Sequence, residues 1–259
     1  MLSAERRNLI LKEIQENKKV FVNELSRRFS VSEETIRRDL EKLDQDGFVK
    51  KGYGGAVLNE DYGTDLPFNM RYKINPEGKT KIASLVVKEI DNGDHIFMDA
   101  SSTSVFISRA IKKKEYDKLT IITNSIENAV VMGVEPGIDI LMTGGALRYE
   151  SMSLMGGRAV DAISQYHTNK AVISCNGIDL ERGITDGNDE VVSVKQAVID
   201  ASDRVILAVD SEKFGRTSFA QICPLSKIDT LVTDKRPEEK WIKLCEDLNV
   251  RLVFPANED

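Results

Sequence analysis

The most restrictive feature of this chain is the stretch over residues 22–47, VNELSRRFSVSEETIRRDLEKLDQDG. Asn23 is placed to cap a short helix over 24–29, with Leu25 and Phe29 on one face. Ser30-Val31-Ser32 makes a tight turn, and Ser32 caps a longer helix that buries Ile36, Leu40 and Leu43 and stops at Gly47. The exposed side of that helix's first turns carries Glu33, Glu34, Thr35, Arg37 and Arg38. A helix, a short turn and a helix with polar and arginine side chains at its start is the layout that sets side chains into the major groove of DNA. A plain three-helix domain with solvated charges is the competing reading.

The flanks favour the DNA reader. A helix over 4–17 carries Leu9, Ile10, Glu13 and Ile14 in one stripe, with Arg6, Arg7 and Lys12 outside it. Ser3 stands as its cap, with Arg6 where a capping box prefers Glu. Val20-Phe21-Val22 is a short strand-like run, and 48–51 and 56–58 are two more. They flank Gly52-Tyr53-Gly54-Gly55, a hairpin tip beside Lys50 and Lys51, suited to a wing against phosphates. Residues 1–58 are therefore expected to form a winged helix-turn-helix domain. Ser32, Glu33, Glu34, Thr35, Arg37, Arg38, Lys50 and Lys51 are its candidate DNA-binding residues. Arg37 and Arg38 point about 100° apart on a helix. That leaves one of them open to a backbone contact, and leaves Glu33 or Glu34 open to a purely dipolar role at the helix start.

A net charge of −6 looks wrong for a DNA partner until the chain is divided. Residues 1–58 hold 12 basic against 10 acidic side chains, and the remainder 24 against 32. Cys175, Cys223 and Cys245 are widely spaced and odd in number, which argues against a disulfide framework. With two histidines, His95 and His167, no metal site is expected, and no cofactor is. No apolar run reaches the ~18 residues of a membrane span, and the first residues lack a signal pattern. A cytoplasmic protein without a membrane partner is expected.

The stretch VNELSRRFSVSEETIRRDLEKLDQDG, followed by YGGAV, resembles the N-terminal signature of the DeoR family of bacterial regulators. Members usually carry a His before the paired wing glycines; here Tyr53 stands there, so no role of that His transfers.

Residues 59–79, with Gly63, Pro67, Pro76 and Gly78, read as a linker to a domain over 80–259. Strand-like runs follow at 96–98, 119–123, 138–142, 171–174, 205–209, 230–232 and 252–254. Between them lie helical patterns over 81–90, 104–113, 126–132, 158–166, 190–201 and 238–248. That alternation gives an α/β fold with a mostly parallel sheet covered on both faces. Ligands of such sheets bind beyond the carboxyl ends of strands. Five consecutive strand ends are small and polar: Asp99 to Ser104, Thr123-Asn124-Ser125, Thr143-Gly144-Gly145, Asn176 to Asp179 followed by Gly183 to Asp186, and Asp210 to Gly215. Hydroxyls at a helix start offer N–H and O–H donors to an anion. A phosphate is accordingly placed at Ser101, Ser102, Thr103 and Ser104, with Thr123, Asn124, Ser125, Gly144 and Gly145 beside it. Lys195 or Lys213 is its charge partner, with Asp99, Asp179 or Glu190 on sugar hydroxyls and Asp186 nearby. Ordinary helix capping is the alternative for each hydroxyl, and solvation for Lys195 and Glu190.

The motifs DASSTS, TNS, TGG, NGID, ITD and DSEKFG resemble the DeoR-family effector domain, itself similar to the ribose-5-phosphate isomerase group of folds. The resemblance implies a ligand-responsive repressor of a carbohydrate operon, whose partners are double-stranded operator DNA, a phosphorylated sugar and at least one further copy of the chain. Two alternatives are weighed. One is a sugar-phosphate isomerase using Glu190, Asp179, Asp186 and Lys195 for proton transfer. The other is an architectural DNA protein whose α/β domain only oligomerises.

Overall fold

Ile10 and Ile14 on α1 (Ser3–Asn17), Leu25 on α2 (Val22–Phe29) and Ile36 and Leu40 on α3 (Glu33–Gln45) meet in one core, each 1% exposed or less. The computed structural model describes residues 2–45, 48–58, 66–133 and 135–256. It divides into two units, Met1–Ile74 and Asn75–Asp259.

In the first unit, β1 (Lys19–Phe21) pairs antiparallel with β3 (Gly55–Leu58), which pairs with β2 (Val49–Gly52). The sheet order is β1-β3-β2, and Tyr53 and Gly54 form the tip of the β2–β3 wing. Ser32 caps α3 as expected, its Oγ accepting from Thr35 N at 3.2 Å. Ser30 ends α2 in the left-handed region, which reverses the chain within the turn. The expected stop at Gly47 lies outside the described residues.

Tertiary contacts shift three details of this reading. Helix α1 starts at Ser3 with Leu2 as its cap, so Glu5 occupies the capping-box position and accepts from Leu2 N at 3.3 Å. Arg6 is buried rather than outside the stripe, because its Nε donates to Asp39 Oδ2 on α3 at 2.5 Å; Leu11 replaces the exposed Leu9 in the core. Helix α2 leaves β1 directly at Val22, so Asn23 lies inside it and caps nothing.

The stretch expected as a linker carries ordered structure where it is described. Its residues 59–65 lie outside the description. Then α4 (Phe68–Lys73) places Met70 in the first unit's core at 2% exposure. Helix α5 (Pro76–Val86) follows, with Asn75 accepting from Gly78 N at 3.1 Å and Pro76 at the first helical position. Proline there loses no hydrogen bond, so it starts a helix rather than breaking one.

All seven expected strands form one parallel sheet in the second unit: β4 (His95–Met98), β5 (Leu119–Thr123), β6 (Ile138–Met142), β9 (Lys170–Ile173), β12 (Val205–Ala208), β14 (Thr230–Val232) and β15 (Arg251–Val253). Alternate residues face opposite layers. Phe97, Ile122, Ala171, Ile173 and Leu207 join one core, and Ile96, Met98, Ile121, Val172 and Ile206 the other. Helices α5, α6 (Ser102–Ile111) and α7 (Ile126–Met132) cover the second core. Helices α8 (Gly157–Ile163), α9 (Asp189–Asp200) and α10 (Glu239–Asp247) cover the first, which includes Trp241. Five short strands were not anticipated. β7 (Ala146–Arg148) and β8 (Ser153–Met155) form a ribbon, while β10 (Gly177–Asp179), β11 (Gly183–Asp186) and β13 (Ala220–Cys223) form a small antiparallel sheet. Among the described residues no helix is long and apolar enough to cross a membrane.

Candidate functional site

The strand order β15-β14-β12-β9-β4-β5-β6 reverses direction between β4 and β9. Connections diverge at such a point and leave a crevice at the strands' carboxyl ends. Here it joins Asp99, just after β4, to Ser174, just after β9: Ser174 N donates to Asp99 Oδ2 at 2.8 Å. Ser101 N donates to Asp99 Oδ1 at 3.1 Å, so both oxygens of this buried carboxylate are positioned by backbone.

Helix α6 starts at this crevice. Ser101 Oγ caps it by accepting from Ser104 N at 3.0 Å. Asn128 on α7 is wholly buried and braces the turn from behind: its Nδ2 donates to Asp99 O at 2.9 Å and Ser104 Oγ at 2.8 Å, and its Oδ1 accepts from Ser108 Oγ at 3.1 Å. Thr123 Oγ1 donates to Met98 O at 2.6 Å, and Ser125 Oγ caps α7 by accepting from Asn128 N at 3.1 Å. Four of the expected hydroxyls, those of Ser101, Ser104, Thr123 and Ser125, thus hold the scaffold. The hydroxyls of Ser102 and Thr103 have no partner among the described residues, and their N–H groups lie in the first turn of α6, where an intrahelical acceptor is missing.

Lys195, on α9, reaches the same crevice. Its Nζ donates to Asp186 Oδ2 at 2.6 Å and Ser174 O at 2.7 Å and lies 3.5 Å from Asp99 Oδ2. Burial works against its charge, but the carboxylates of Asp186 and Asp99 outweigh it and raise its pKa above the ordinary lysine value. Three strand ends are therefore tied through one buried ammonium group. The Lys213 ammonium is half-buried near Cys175 and has no acceptor among the described residues. Asn124 Oδ1 is buried and unpartnered, while its Nδ2 donates to Leu154 O at 3.2 Å.

The two expected sugar contacts, Asp179 and Glu190, show local settings of their own. Asp179 builds the β10–β11 turn, where the Arg182 and Glu181 N–H groups hold its carboxyl below the usual range. Glu190 is exposed on the first turn of α9, which Asn188 caps. Gly144 and Gly145 shape the β6–β7 turn with φ of +69° and +116°. At Gly145 a Cβ would lie 2.6 Å from Met155 O, so glycine is needed there for backbone approach. Asn128 and Ser174 were missed from sequence. The signal for Asn128 is an amide on the face of α7 turned toward the core; Ser174 acts only through its backbone.

On the first unit, Arg37 Nη2 donates to Glu33 Oε2 at 2.6 Å, and Arg38 Nε to Glu34 Oε1 at 3.3 Å, all on the exposed side of α3. Lys51 Nζ lies 3.5 Å from Glu41 Oε1, Lys50 is exposed beside it on β2, and the Tyr53 side chain is fully exposed at the wing tip.

The sequence matches the DeoR-like helix-turn-helix domain over residues 6–62 and the DeoR C terminal sensor domain over residues 74–235. The chain belongs to the DeoR family. Among curated DeoR-family relatives, the uncharacterized HTH-type transcriptional regulator YulB of Bacillus subtilis is 36% identical over 98% of this chain and 97% of its own. The HTH-type transcriptional repressor GlcR of the same organism is 33% identical over 100% and 99%. The glycerol-3-phosphate regulon repressor of Escherichia coli is 30% identical over 97% and 99%. Among solved structures, ribose 5-phosphate isomerase A of Methanocaldococcus jannaschii aligns with a TM-score of 0.40 at 15% identity, covering 54% of this chain and 55% of that one. As a DeoR-family member, the chain is a transcriptional regulator with a DNA-reading domain and a sensor domain.

Proposed function

We propose that this DeoR-family regulator represses a carbohydrate operon and releases its operator when a phosphorylated sugar or related intermediate binds the sensor domain. The observation that carries the reading is the start of α6 at the β4/β9 reversal, where the N–H and O–H groups of Ser102 and Thr103 stand without partners among the described residues. These donors and the helix dipole suit a phosphate, and Lys213 supplies a cation with no acceptor among the described residues. Asn124 Oδ1 and the open Gly144 backbone suit the polar body of the ligand. The glycerol-3-phosphate regulon repressor and an L-fucose operon activator among the relatives support the ligand class. Arg37 and Arg38 on α3 and Lys50 and Lys51 on the wing face the operator in this reading. The protein acts in the cytoplasm, as two or more copies, since a two-fold operator takes two reading heads.

Proton transfer is not part of the reading. Asp99, Asp186 and Lys195 are locked in bonds to one another and to backbone, Asp179 forms a turn, and Glu190 points to solvent. Thermal shift with a panel of phosphorylated sugars tests the site. At 100 times its Kd, the effector stabilises the wild type by about 2.7 kcal/mol. Ser102→Glu sets a carboxylate against the phosphate and abolishes that shift; an undiminished shift in the variant overturns the placement.

A further inference from the structure

The exposed start of α3 carries both of its arginines in ion pairs. Arg37 is paired with Glu33 and Arg38 with Glu34, each one turn back along the helix. The arginine side chains are 54% and 78% exposed and the glutamates 48% and 62%, so burial holds none of them in place. Pairs of this kind add only a few tenths of a kcal/mol to a helix. The fold does not depend on them, because Ile36, Leu40, Leu43 and the buried Asp39–Arg6 bridge fix α3 against α1 and α2. Their effect falls instead on the charge that this face presents. Two arginines and two glutamates sum to nothing, where the arginines alone would attract phosphate backbone of any sequence.

We propose that Glu33 and Glu34 are specificity-determining residues that restrain Arg37 and Arg38 from sequence-independent phosphate contacts. An arginine leaves its glutamate without loss only where two acceptors replace the carboxylate, as guanine O6 and N7 do in the major groove. The freed carboxylate then takes a donor, and the cytosine N4 amino group of a G·C pair supplies one. On other sequences the carboxylates remain close to phosphates and repel them. The glutamates therefore weaken non-specific binding more than specific binding, and the preferred half-site contains G·C pairs opposite the start of α3.

This inference rests on α3 as the recognition helix, and the test separates the two. Full-length wild type, Glu33→Gln/Glu34→Gln and Arg37→Ala/Arg38→Ala are each put through selection from a random duplex library. Anisotropy then measures each protein on the duplex selected by wild type and on a random duplex, at fixed salt. The glutamine variant binds the random duplex about tenfold tighter, its specificity ratio falls by a similar factor, and its selected sites lose their G·C preference. The arginine variant loses preference and affinity together. An arginine variant that binds like wild type removes the recognition-helix reading and this inference with it. An arginine variant that fails beside a glutamine variant with the wild-type ratio overturns the inference alone. Each single glutamine variant repeats the measurement if the double variant melts early.

Discussion

Lys195 shows how one side chain organises the sensor. Its ammonium group bonds Asp186 and the Ser174 carbonyl and faces Asp99, which joins segments that follow β4 and β9 to the end of β11. Lys195→Met removes the ammonium group from these contacts with the buried Asp99 and Asp186. We expect a loss of about 3–5 kcal/mol in urea unfolding; a loss below 1 would mean that water already screens the cluster. Because folding raises this lysine's pKa above 10.5, its stabilisation is complete below that value and is lost only as pH climbs through the folded pKa. Wild-type stability should therefore not fall through Lys195 deprotonation between pH 6 and 9. Cys175 lies beside it with the opposite consequence: burial pushes its thiol up to about 12. At pH 8 roughly one thiol in ten thousand is ionised, so a disulfide reagent should modify Cys175 only after unfolding. Stoichiometric labelling of native Cys175, read by peptide mass, would contradict that burial.

Among elements, the wing shows a backbone requirement. β3 passes so close to β1 that a Cβ at Gly55 would sit 2.1 Å from Val20 O, whereas at Gly52 it would meet nothing within 4 Å. Gly55→Ala should destabilise the first unit by about 1–3 kcal/mol through strand displacement, while Gly52→Ala stays near wild type. Equal melting temperatures for the two variants would show that the three strands separate without cost. The seven strands of the large sheet were legible because each is a mainly apolar run; the inner strands are buried on both faces, and the edge strands β6 and β15 are partly exposed. β7, β8, β10, β11 and β13 were not, since strands of three or four residues are too short to carry a usable period. Pro76 misled for a local reason: Asn75 turns the chain just before it, and proline then fits the first helical position.

At the level of the whole protein, sensing requires that the ligand prefer one conformation of the sensor. A preference of ~100-fold corresponds to about 2.7 kcal/mol and is sufficient to shift operator affinity by that factor. In the proposed oligomer, the exposed Val130, Leu147 and Tyr149 are candidates for cover by a second copy. Light scattering should find a dimer or larger, and operator half-sites should lie about 34–36 Å apart or at multiples of that spacing. A monomer that binds a single half-site with full affinity would remove the two-fold reading.

Short-range chemistry was written plainly in the chain. Ser32 before an amphipathic helix, glycines between two short strands and hydroxyls after apolar runs each specify local geometry within a few residues, and each formed where expected. Long-range pairing was not readable. Arg6 finds Asp39, Asn128 braces Asp99, and Ser174 reaches Asp99 across 75 positions, because these partners are neighbours only after the helices and strands have packed. Asp179 is engaged locally by the N–H groups of its hairpin turn, while Glu190 is exposed at a helix start capped by Asn188. Periodicity reports which face of an element is buried, but the contact made by a buried polar group depends on the fold that brings its partner within 3 Å.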